Sequence, residues 1–482
     1  MIVKKATEKL NKDYLGKYVP LFDVISENST EISSYLVGGS LRNLLLDRPV
    51  YDWDFIVENN AGEFAKKIAE KTGSSFVVLD EKYGIYRVVP PGKKTHIDFS
   101  NCRGQIEEDL KLRDFTMNAI ALKVGSGELI DPTSGIEDLS SGIIRACRRK
   151  SLIDDPLRVL RAYRMQAQFG FTIERETKEW IPVLADGLEH VAFERIRDEI
   201  FKILSQDLAA AVLREMYNDG VLLKILPELK MTVGLEQNNY HRFDVFDHSL
   251  YTLMELENLA LKCFVEFGEQ SDGICSYLSS EICNGRRYLE TVKFAALLHD
   301  IGKPDVKRMD KGVLYYVGHQ LAGAEKWEKI ARRFRLSTKE VTLGSKIIKN
   351  HLMPITISQE KNKIAQKKKI YTFFKLAGTA APGVVLLSWA DVEAGRGNAL
   401  TWEMIDAHHK ASRHLIRHYF REDRLAKPPL YLNGHDIISI SGLGGGKIIG
   451  DIINALEELT AIGEINNRRE AEEYVRKNYE KK

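Results

Sequence analysis

The sequence contains little cysteine and no motif built from it. Its five cysteines are odd in number, scattered along 482 residues, and never form a Cys-x-x-Cys pair. A disulfide framework or a thiolate zinc site is therefore not expected, and the cysteine usage favours a reducing cytoplasm.

Long apolar runs and an excess of one charge are also absent. The longest apolar stretch, around residues 384–390, is far shorter than the roughly 20 residues of a membrane span, so no membrane partner is expected. Residues 1–5 carry charge without an apolar core after them, which predicts no secretory signal. Seventy basic residues nearly balance 68 acidic ones, giving a net charge of +2. A nucleic-acid-binding surface would therefore be a local patch.

The length predicts several domains, because one core rarely serves a chain of this size. Residues 1–150 mix short apolar runs, turns and a helical pattern, which predicts an α+β head with a small mixed sheet. After Pro156, apolar residues recur at helical spacing, which predicts a long all-α body. Four domains are expected, covering residues 1–150, a helical neck over 151–235, a metal-binding domain over 236–400 and a helical tail over 401–482.

Two aspartates at strand spacing follow a glycine turn in the head. The segment 35–42 is typical of an apolar strand, a Gly-Gly-Ser turn and a helix start, where backbone amides favour phosphates. Asp52 and Asp54 then lie two positions apart on a predicted strand, so they point to one face. Such a pair binds Mg²⁺ together with phosphate oxygens, as two-metal nucleotidyl transfer requires. Asp98, in a later strand-like segment, is the candidate third carboxylate.

The glycine turn and the aspartate pair carry a resemblance to a known family. Gly38-Gly39-Ser40, eleven further residues and Asp52-x-Asp54 are similar to the signature of the DNA polymerase β superfamily. Three later segments narrow the resemblance to the class II tRNA nucleotidyltransferases and bacterial poly(A) polymerases: 107–121, 130–135 and 154–164. The similarity runs in the right order over residues 35–205.

The resemblance implies roles for particular residues of the head and neck. It implies that Asp52 and Asp54 hold Mg²⁺, with Asp98 beside them. The residues implied to contact the nucleotide phosphates or ribose are Gly39, Arg42 and Arg113. Those implied to line the base pocket are Asp155, Arg158, Arg161 and Arg164.

The base-pocket set also makes independent chemical sense. At helical spacing its members would form a stripe of one carboxylate and three guanidinium groups. An aspartate accepts from the exocyclic amine of C or A, and an arginine donates to ring nitrogens and carbonyls. Two positions depart from the family pattern, since Asn43 and Asp154 replace an aspartate and a glutamate. Both changes bear on local geometry and not on the reaction class.

A second group of metal-ligand residues follows in the helical body. It consists of His248, the adjacent pair His299-Asp300 at the end of an apolar helix, and Asp391. Burying such a pair is costly unless both side chains bind a cation, and this ligand set suits Mn²⁺, Ni²⁺, Fe or Mg²⁺. Residues 241–395 resemble the HD-domain phosphohydrolases. The resemblance implies that His319 and His351 contact phosphate or a second metal, and that Lys303 stabilises a leaving phosphate.

Three further segments carry patterns that also occur in functional sites. Residues 361–374 are basic and aromatic, which fits either an RNA contact or a solvated helix face. The glycine-rich segment 442–447 lacks the strand and the Lys-Ser/Thr of a P-loop. By the resemblance, it opens a tail helix that contacts tRNA. The histidines between residues 408 and 418 are expected on the surface.

These observations together predict an enzyme that extends the 3′ end of tRNA with C and/or A from CTP and ATP. Three alternatives stay open. They are a poly(A) polymerase acting on general RNA, a phosphohydrolase whose head is vestigial, and an RNA-binding protein without catalysis.

Overall fold

The computed structural model describes residues 10, 15–17, 19–92 and 95–480. The prediction for residues 1–5 lies outside the described residues. The chain divides into two compact units. The first comprises Met1–Glu199 and Asp219–Lys224, and the second comprises Ile200–Asn218 and Ile225–Lys482.

The first unit is built on a seven-stranded mixed sheet. Its strands are β1 Ser34–Val37, β2 Asp52–Val57, β3 Ser75–Asp80, β4 Ile85–Val89, β5 His96–Asn101, β6 Ala121–Lys123 and β7 Leu129–Ile130. Their order across the sheet is β3-β4-β5-β2-β1-β6-β7, and within it only β2 and β5 pair in parallel. A short parallel pair is formed by β8 Ile143–Ile144 and β9 Thr172–Ile173. The α+β head predicted from the sequence is confirmed.

The helices of the first unit pack around this sheet. They are α1 Phe22–Asn28, α2 Gly38–Leu45, α3 Ala61–Thr72, α4 Ile106–Lys111, α5 Gly135–Ser141, α6 Arg149–Asp154, α7 Leu157–Phe169 and α8 Arg175–Leu184. The core includes Phe55 stacked on Phe99, with the Phe64 ring edge-on at 5.6 Å from Phe99. Because Phe55 and Phe99 are register partners on β2 and β5, the same pairing that aligns these strands also fills the core.

The second unit is mainly helical. Two helices cross the boundary between the units, α9 Phe193–Leu204 and α11 Val221–Ile225. Those within the second unit are α10 Ala209–Asn218, α12 Val245–Leu261, α13 Cys263–Phe267, α14 Ser271–Ser279, α15 Tyr288–Leu298, α16 Lys303–Val306, α17 His319–Arg333, α18 Thr338–Asn350, α19 Met353–Ser358, α20 Lys363–Ala377, α21 Ala381–Gly395, α22 Trp402–Arg421, α23 Gly434–Ser441, α24 Lys447–Ile462 and α25 Arg468–Tyr479.

Two short hairpins interrupt the helical body. They are formed by β10 Glu281–Cys283 with β11 Arg286–Arg287, and by β12 Arg308–Asp310 with β13 Val313–Tyr315. Both central residues of each two-residue turn have positive φ, as twisted hairpins require. The helical periodicity did not predict these hairpins. The Asn284-Gly285 pair is the local signal for the first one.

One helical stretch of the described residues, Lys363–Gly395, is long and apolar enough to cross a membrane by length and composition alone. A buried core helix has the same composition, and 72% of the apolar window is buried inside the protein. A 3₁₀ turn at Gly378–Ala380 divides the stretch into α20 and α21. Every residue from 381 to 390 is buried, which explains why this part of α21 is apolar apart from Ser388.

Helices α17 and α18 approach closely at Gly344. A Cβ atom at this position would overlap the indole ring of Trp327, which is fully buried and donates from Nε1 to the Val341 carbonyl at 2.9 Å. We expect Gly344→Ala to lower the free energy of unfolding by about 1–3 kcal/mol, because overpacking strains the core.

The matched control for this substitution is Gly450→Ala. Gly450 is an exposed helical glycine whose added Cβ would meet no atom within 4 Å, so this variant should gain up to about 1 kcal/mol. Urea denaturation of the two variants measures both effects. Equal stability of the two would contradict the close approach at Gly344.

Candidate active site and metal centre

The register of two strands brings the predicted carboxylates of the head together. In the parallel pair of β2 and β5, Asp52 lies beside His96, and Asp54 lies beside Asp98. Residues two apart on a strand share a face, so all four side chains lie on one face of the sheet. Sequence reasoning missed His96. The available signal was its position two residues before Asp98.

Asp54 is half-buried, whereas Asp52 is exposed. The Asp54 backbone N–H donates to Ser40 Oγ at 3.3 Å, and the Ser40 hydroxyl donates to the Val37 carbonyl at 2.6 Å. Burial raises the pKa of Asp54, while the nearby Arg113 guanidinium opposes that rise. A Cβ at Gly38 would lie 3.1 Å from Arg113 Nη1 and 3.4 Å from Asp54 Oδ2. The glycine therefore lets both charged groups approach the backbone.

Asp52 and Asp98 differ in how firmly they are held. Asp98 accepts a two-pronged interaction from Arg87, with distances of 2.8 and 2.9 Å to its two oxygens. The Asp52 side chain is 68% exposed, and His96 Nε2 lies 3.2 Å from its Oδ1. Clustered carboxylates of this kind fit a divalent cation, because without one they repel each other.

Arg42 and Gly39 lie in the first turns of α2. No side chain caps the start of this helix, so its first amide groups remain available to an anion. The Arg42 guanidinium is buried and donates to Asn118 Oδ1 at 2.6 Å and to Asn43 Oδ1 at 2.9 and 3.1 Å. Burial and repulsion from Arg164 lower the pKa of Arg42 to about 10. Both acceptors are neutral amides, so they hold the guanidinium without cancelling its charge.

Asp155 does not lie on the helix that carries the other base-pocket residues. Helix α6 ends at Asp154, Asp155 is extended with φ −141° and ψ 95°, and α7 begins at Leu157. The expectation of one continuous helical stripe is wrong here, because Pro156 disfavours helical backbone at the residue before it. Asp155 instead pairs with Arg195 at 3.0 Å, a partner that sequence reasoning missed.

The three arginines of α7 are held by groups distant in sequence. Arg161 lies 2.7 Å from Asp114, and Arg164 donates to Glu199 at 2.6 Å. Arg158 donates from Nη1 to the carbonyls of Leu112 and Ser151, each at 3.2 Å. The arginines are thus fixed in orientation before any nucleotide binds.

The second unit brings the four other predicted ligands into one buried cluster. His248 lies on α12, His299 and Asp300 follow α15, and Asp391 lies on α21. His248 Nε2 is 2.8 Å from Asp391 Oδ1 and 3.7 Å from Asp300 Oδ2. His299 Nε2 is 3.3 Å from Asp300 Oδ2 and 3.6 Å from Asp391 Oδ1. These imidazole and carboxylate groups could hold a metal ion.

The histidines of this cluster are oriented by their own helices. His299, His319 and His351 each place Nδ1 within 2.7–2.8 Å of the carbonyl three residues earlier. Donation from Nδ1 leaves the Nε2 lone pair free for a metal, which is the usual arrangement of a ligating histidine. Burial lowers the pKa of His351 to about 3, so its imidazole is neutral. His299 Nε2 is buried without a hydrogen bond, as expected of a ligand atom.

Close backbone contact sets the position of His319 in the cluster. A Cβ at Gly302 would overlap the His319 carbonyl and the Gly323 amide, so the turn after Asp300 packs directly on the start of α17. Asp300, His319 and His351 form a further ligand group, and His319 Nε2 lies 3.3 Å from Asp300 Oδ1. The cluster opens into a cavity of about 470 Å³. Other residues lining it are Tyr240, His241, Lys303, Tyr315 and Tyr316.

The structure also tests the expectations for residues 361–374 and for His408. In the basic and aromatic segment, Tyr371, Phe373 and Phe374 are buried, while Lys368 and Lys369 pair with Glu458 and Glu360. This arrangement favours the solvated helix face over an RNA contact. The surface location expected for His408 is wrong, since its side chain is buried and lies 3.0 Å from Ser388 Oγ.

Comparison with known proteins identifies the family of the chain and the domains in which the two groups of residues lie. Family models match residues 34–145 as a poly A polymerase head domain, 170–232 as a probable RNA- and SrmB-binding site of polymerase A, and 245–394 as an HD domain. The chain is 30% identical over 451 residues to the A-adding tRNA nucleotidyltransferase of Deinococcus radiodurans, covering 92% of this chain and 94% of that one. The chain belongs to the tRNA nucleotidyltransferase family.

Other members of the tRNA nucleotidyltransferase family show similar coverage. The CC-adding tRNA nucleotidyltransferase of Thermus thermophilus is 29% identical and covers 92% of this chain, with 94% of its own length matched. Among solved structures, a CCA-adding enzyme with CTP has a TM-score of 0.66 at 22% identity, with 98% of each chain covered. The Thermotoga maritima CCA-adding enzyme with tRNA has a TM-score of 0.62 at 21% identity, again over 98% of each chain. The solved structures establish the shared fold.

The ion pair between buried Asp114 and half-exposed Arg161 provides a test of how α7 of this tRNA nucleotidyltransferase is held. Burial works to raise the pKa of Asp114, but Arg161, the Asn118 amide and the Phe115 N–H together hold that pKa below its ordinary value. We expect Asp114→Asn to lower the free energy of unfolding by roughly 3 kcal/mol at neutral pH, because Arg161 loses its counter-charge.

The pH dependence separates charge from packing. A carboxylate with a lowered pKa contributes its full stability above its unfolded value of about 3.9, and loses it as the pH falls through the folded value. The difference between wild type and Asp114→Asn should therefore be constant from pH 8 to 5 and shrink below about pH 4. Urea titrations at each pH measure it, with the exposed-pair variant Glu108→Gln as control. A difference that does not shrink would indicate lost packing.

Proposed function

We propose that the chain adds C and/or A from CTP and ATP to the 3′ end of tRNA without a template. The observation that carries the proposal is the alignment of Asp52, Asp54 and Asp98 by the β2–β5 register, directly beside the uncapped start of α2. Membership of the tRNA nucleotidyltransferase family and the similarity to A-adding and CC-adding relatives support it.

In the proposed reaction, Asp52 and Asp54 hold Mg²⁺, with Asp98 alongside. A bound divalent cation supplies activation of the attacking 3′-hydroxyl and charge stabilisation of the departing pyrophosphate. The α2 amides near Gly39, with Arg42 and Arg113, hold the triphosphate. This orients the α-phosphate for in-line attack. Their positive charge also balances the charge that develops on the leaving group.

The proposed base pocket consists of Asp155, Arg158, Arg161 and Arg164. Asp155 would accept from the exocyclic amine, and an arginine would donate to the adjacent ring nitrogen or carbonyl, which selects C and A over G and U. The chain is then organised as a head over residues 1–150, a neck over 151–235, an HD domain over 236–400 and a tRNA-contacting tail over 401–482. Activity on tRNA in the cytoplasm is consistent with this assignment.

A tRNA transcript lacking its last three nucleotides tests the proposed activity. With CTP, ATP and Mg²⁺, we expect extension by the wild-type chain and at least a ~100-fold lower rate for Asp54→Asn, because a metal ligand is lost. The control Asp80→Asn changes an aspartate at the end of β3, another strand of the same sheet, and should leave the rate unchanged.

The length of the product identifies the reaction. Three additions indicate complete CCA synthesis, two indicate CC addition, and one addition only to a transcript already ending in CC indicates A addition. Long A tails on unrelated RNA would instead support a poly(A) polymerase. No extension of either transcript would contradict the proposal.

The cluster in the second unit supports a second activity, metal-dependent hydrolysis of phosphoesters. Three helices, α12, α15 and α21, bring His248, the His299-Asp300 pair and Asp391 within 2.8–3.7 Å of one another beside an open cavity. Mn²⁺, Ni²⁺, Fe or Mg²⁺ suits these ligands. Lys303 Nζ lies 2.5 Å from Asp300 and lines the cavity, where it would stabilise a phosphate.

The two activities should separate by mutation. We expect His299→Ala to abolish Mn²⁺- or Ni²⁺-dependent hydrolysis of bis(p-nitrophenyl) phosphate and to leave tRNA extension within about twofold, because His299 belongs to the second cluster. Asp54→Asn should show the reverse. The control His435→Ala changes an exposed histidine outside the cluster and should leave hydrolysis unchanged. Hydrolysis that persists in His299→Ala would contradict a hydrolytic HD centre.

A further inference from the structure

A histidine completes the group of side chains at the head site. His96 is the register partner of Asp52, and its Nε2 lies 3.2 Å from Asp52 Oδ1 and 4.0 Å from Asp98 Oδ2. The His96 side chain is 24% exposed, so it is more enclosed than the carboxylate beside it. An imidazole therefore lies within hydrogen-bonding reach of one proposed metal ligand.

The three carboxylates differ in how firmly neighbouring groups hold them. Asp54 is half-buried, with its backbone N–H held by Ser40, and Asp98 is fixed through both oxygens by Arg87. Asp52 begins β2 and is largely exposed. Within the part of the chain that the structure describes, His96 is the one side chain at ion-pair distance from it. Without His96, the Asp52 carboxylate would be free to rotate in solvent.

We infer that His96 is a positioning residue that aims Asp52 at the catalytic cation. Donation from Nε2–H to Oδ1 fixes one carboxylate oxygen and leaves Oδ2 to face the metal. Ordering the side chain before the cation arrives removes part of the entropic cost of binding, as outer-sphere partners of metal ligands generally do. Asp98 is not the carboxylate that His96 orients, because Arg87 already holds both oxygens of Asp98. The inference rests on the proposed function of Asp52 and Asp54.

Mn²⁺ binding to the full-length chain, followed by electron paramagnetic resonance, tests the inference without relying on turnover. The titration uses a His299→Ala background, which removes a central ligand of the other cluster. We expect His96→Ala to weaken Mn²⁺ binding by about 10–100-fold. His96→Gln keeps an N–H donor at a similar reach and should recover most of the loss.

Two further variants make the test specific. Thr95→Ala is the matched control, since Thr95 is the neighbour of His96 just before β5 but donates to the Tyr51 carbonyl at 2.7 Å. It should bind Mn²⁺ like its parent. If His96 acts through Asp52, adding His96→Ala to Asp52→Asn should cause no further loss, because the two changes remove one interaction.

Each contrary result has a distinct meaning. Unchanged Mn²⁺ binding in His96→Ala, with a loss in Asp52→Asn, would overturn the positioning role alone. A further loss on the Asp52→Asn background would show that His96 ligates the metal directly, which also overturns it. Unchanged binding in both Asp52→Asn and Asp54→Asn would overturn the proposed metal site itself.

Discussion

The chemistry of the head depends on the parallel pairing of β2 with β5. A shift of one residue in that register would turn every side chain of the shifted strand to the opposite face, separating Asp54 from Asp98 and Asp52 from His96. The same register stacks Phe55 on Phe99 in the core. Burial of these rings therefore stabilises the one alignment in which the polar groups meet, so the packing energy of the sheet also maintains the site.

In the second unit, helices in place of strands bring the polar side chains together. Its ligands come from separate helices, and no register relates them. Close packing at Gly302 and hydrogen bonds from imidazole Nδ1 atoms to carbonyls of the preceding turn fix them instead. His299, His319 and His351 are thus oriented locally, within the preceding turn, whereas His248 is oriented by Asp391 from a distant helix. This makes a buried polar cluster compatible with an apolar helical core.

The sequence pattern predicted those features that depend on residues close together in the chain. Strand alternation was enough to place Asp52 and Asp54 on one face, and the apolar run before His299-Asp300 was enough to predict that this pair is buried. The break at Asp155 was also local, and Pro156 was its available signal. The partners Asp114, Glu199 and Arg87 could not be predicted in this way. Their contacts with Arg161, Arg164 and Asp98 depend on how elements distant in sequence pack together.

The surroundings of Arg42 offer a reason why position 43 carries an asparagine where the family usually has an aspartate. Arg42 is surrounded by other guanidinium groups, and burial and Arg164 already lower its pKa. A carboxylate at position 43 would stabilise the cation but would also neutralise the positive potential beside α2. The Asn43 amide keeps the hydrogen bonds that orient Arg42 without adding a negative charge to that of the nearby Asp114. In the proposed function, a bound triphosphate would supply negative charge beside Arg42. Nucleotide binding would then reduce the repulsion among the arginines.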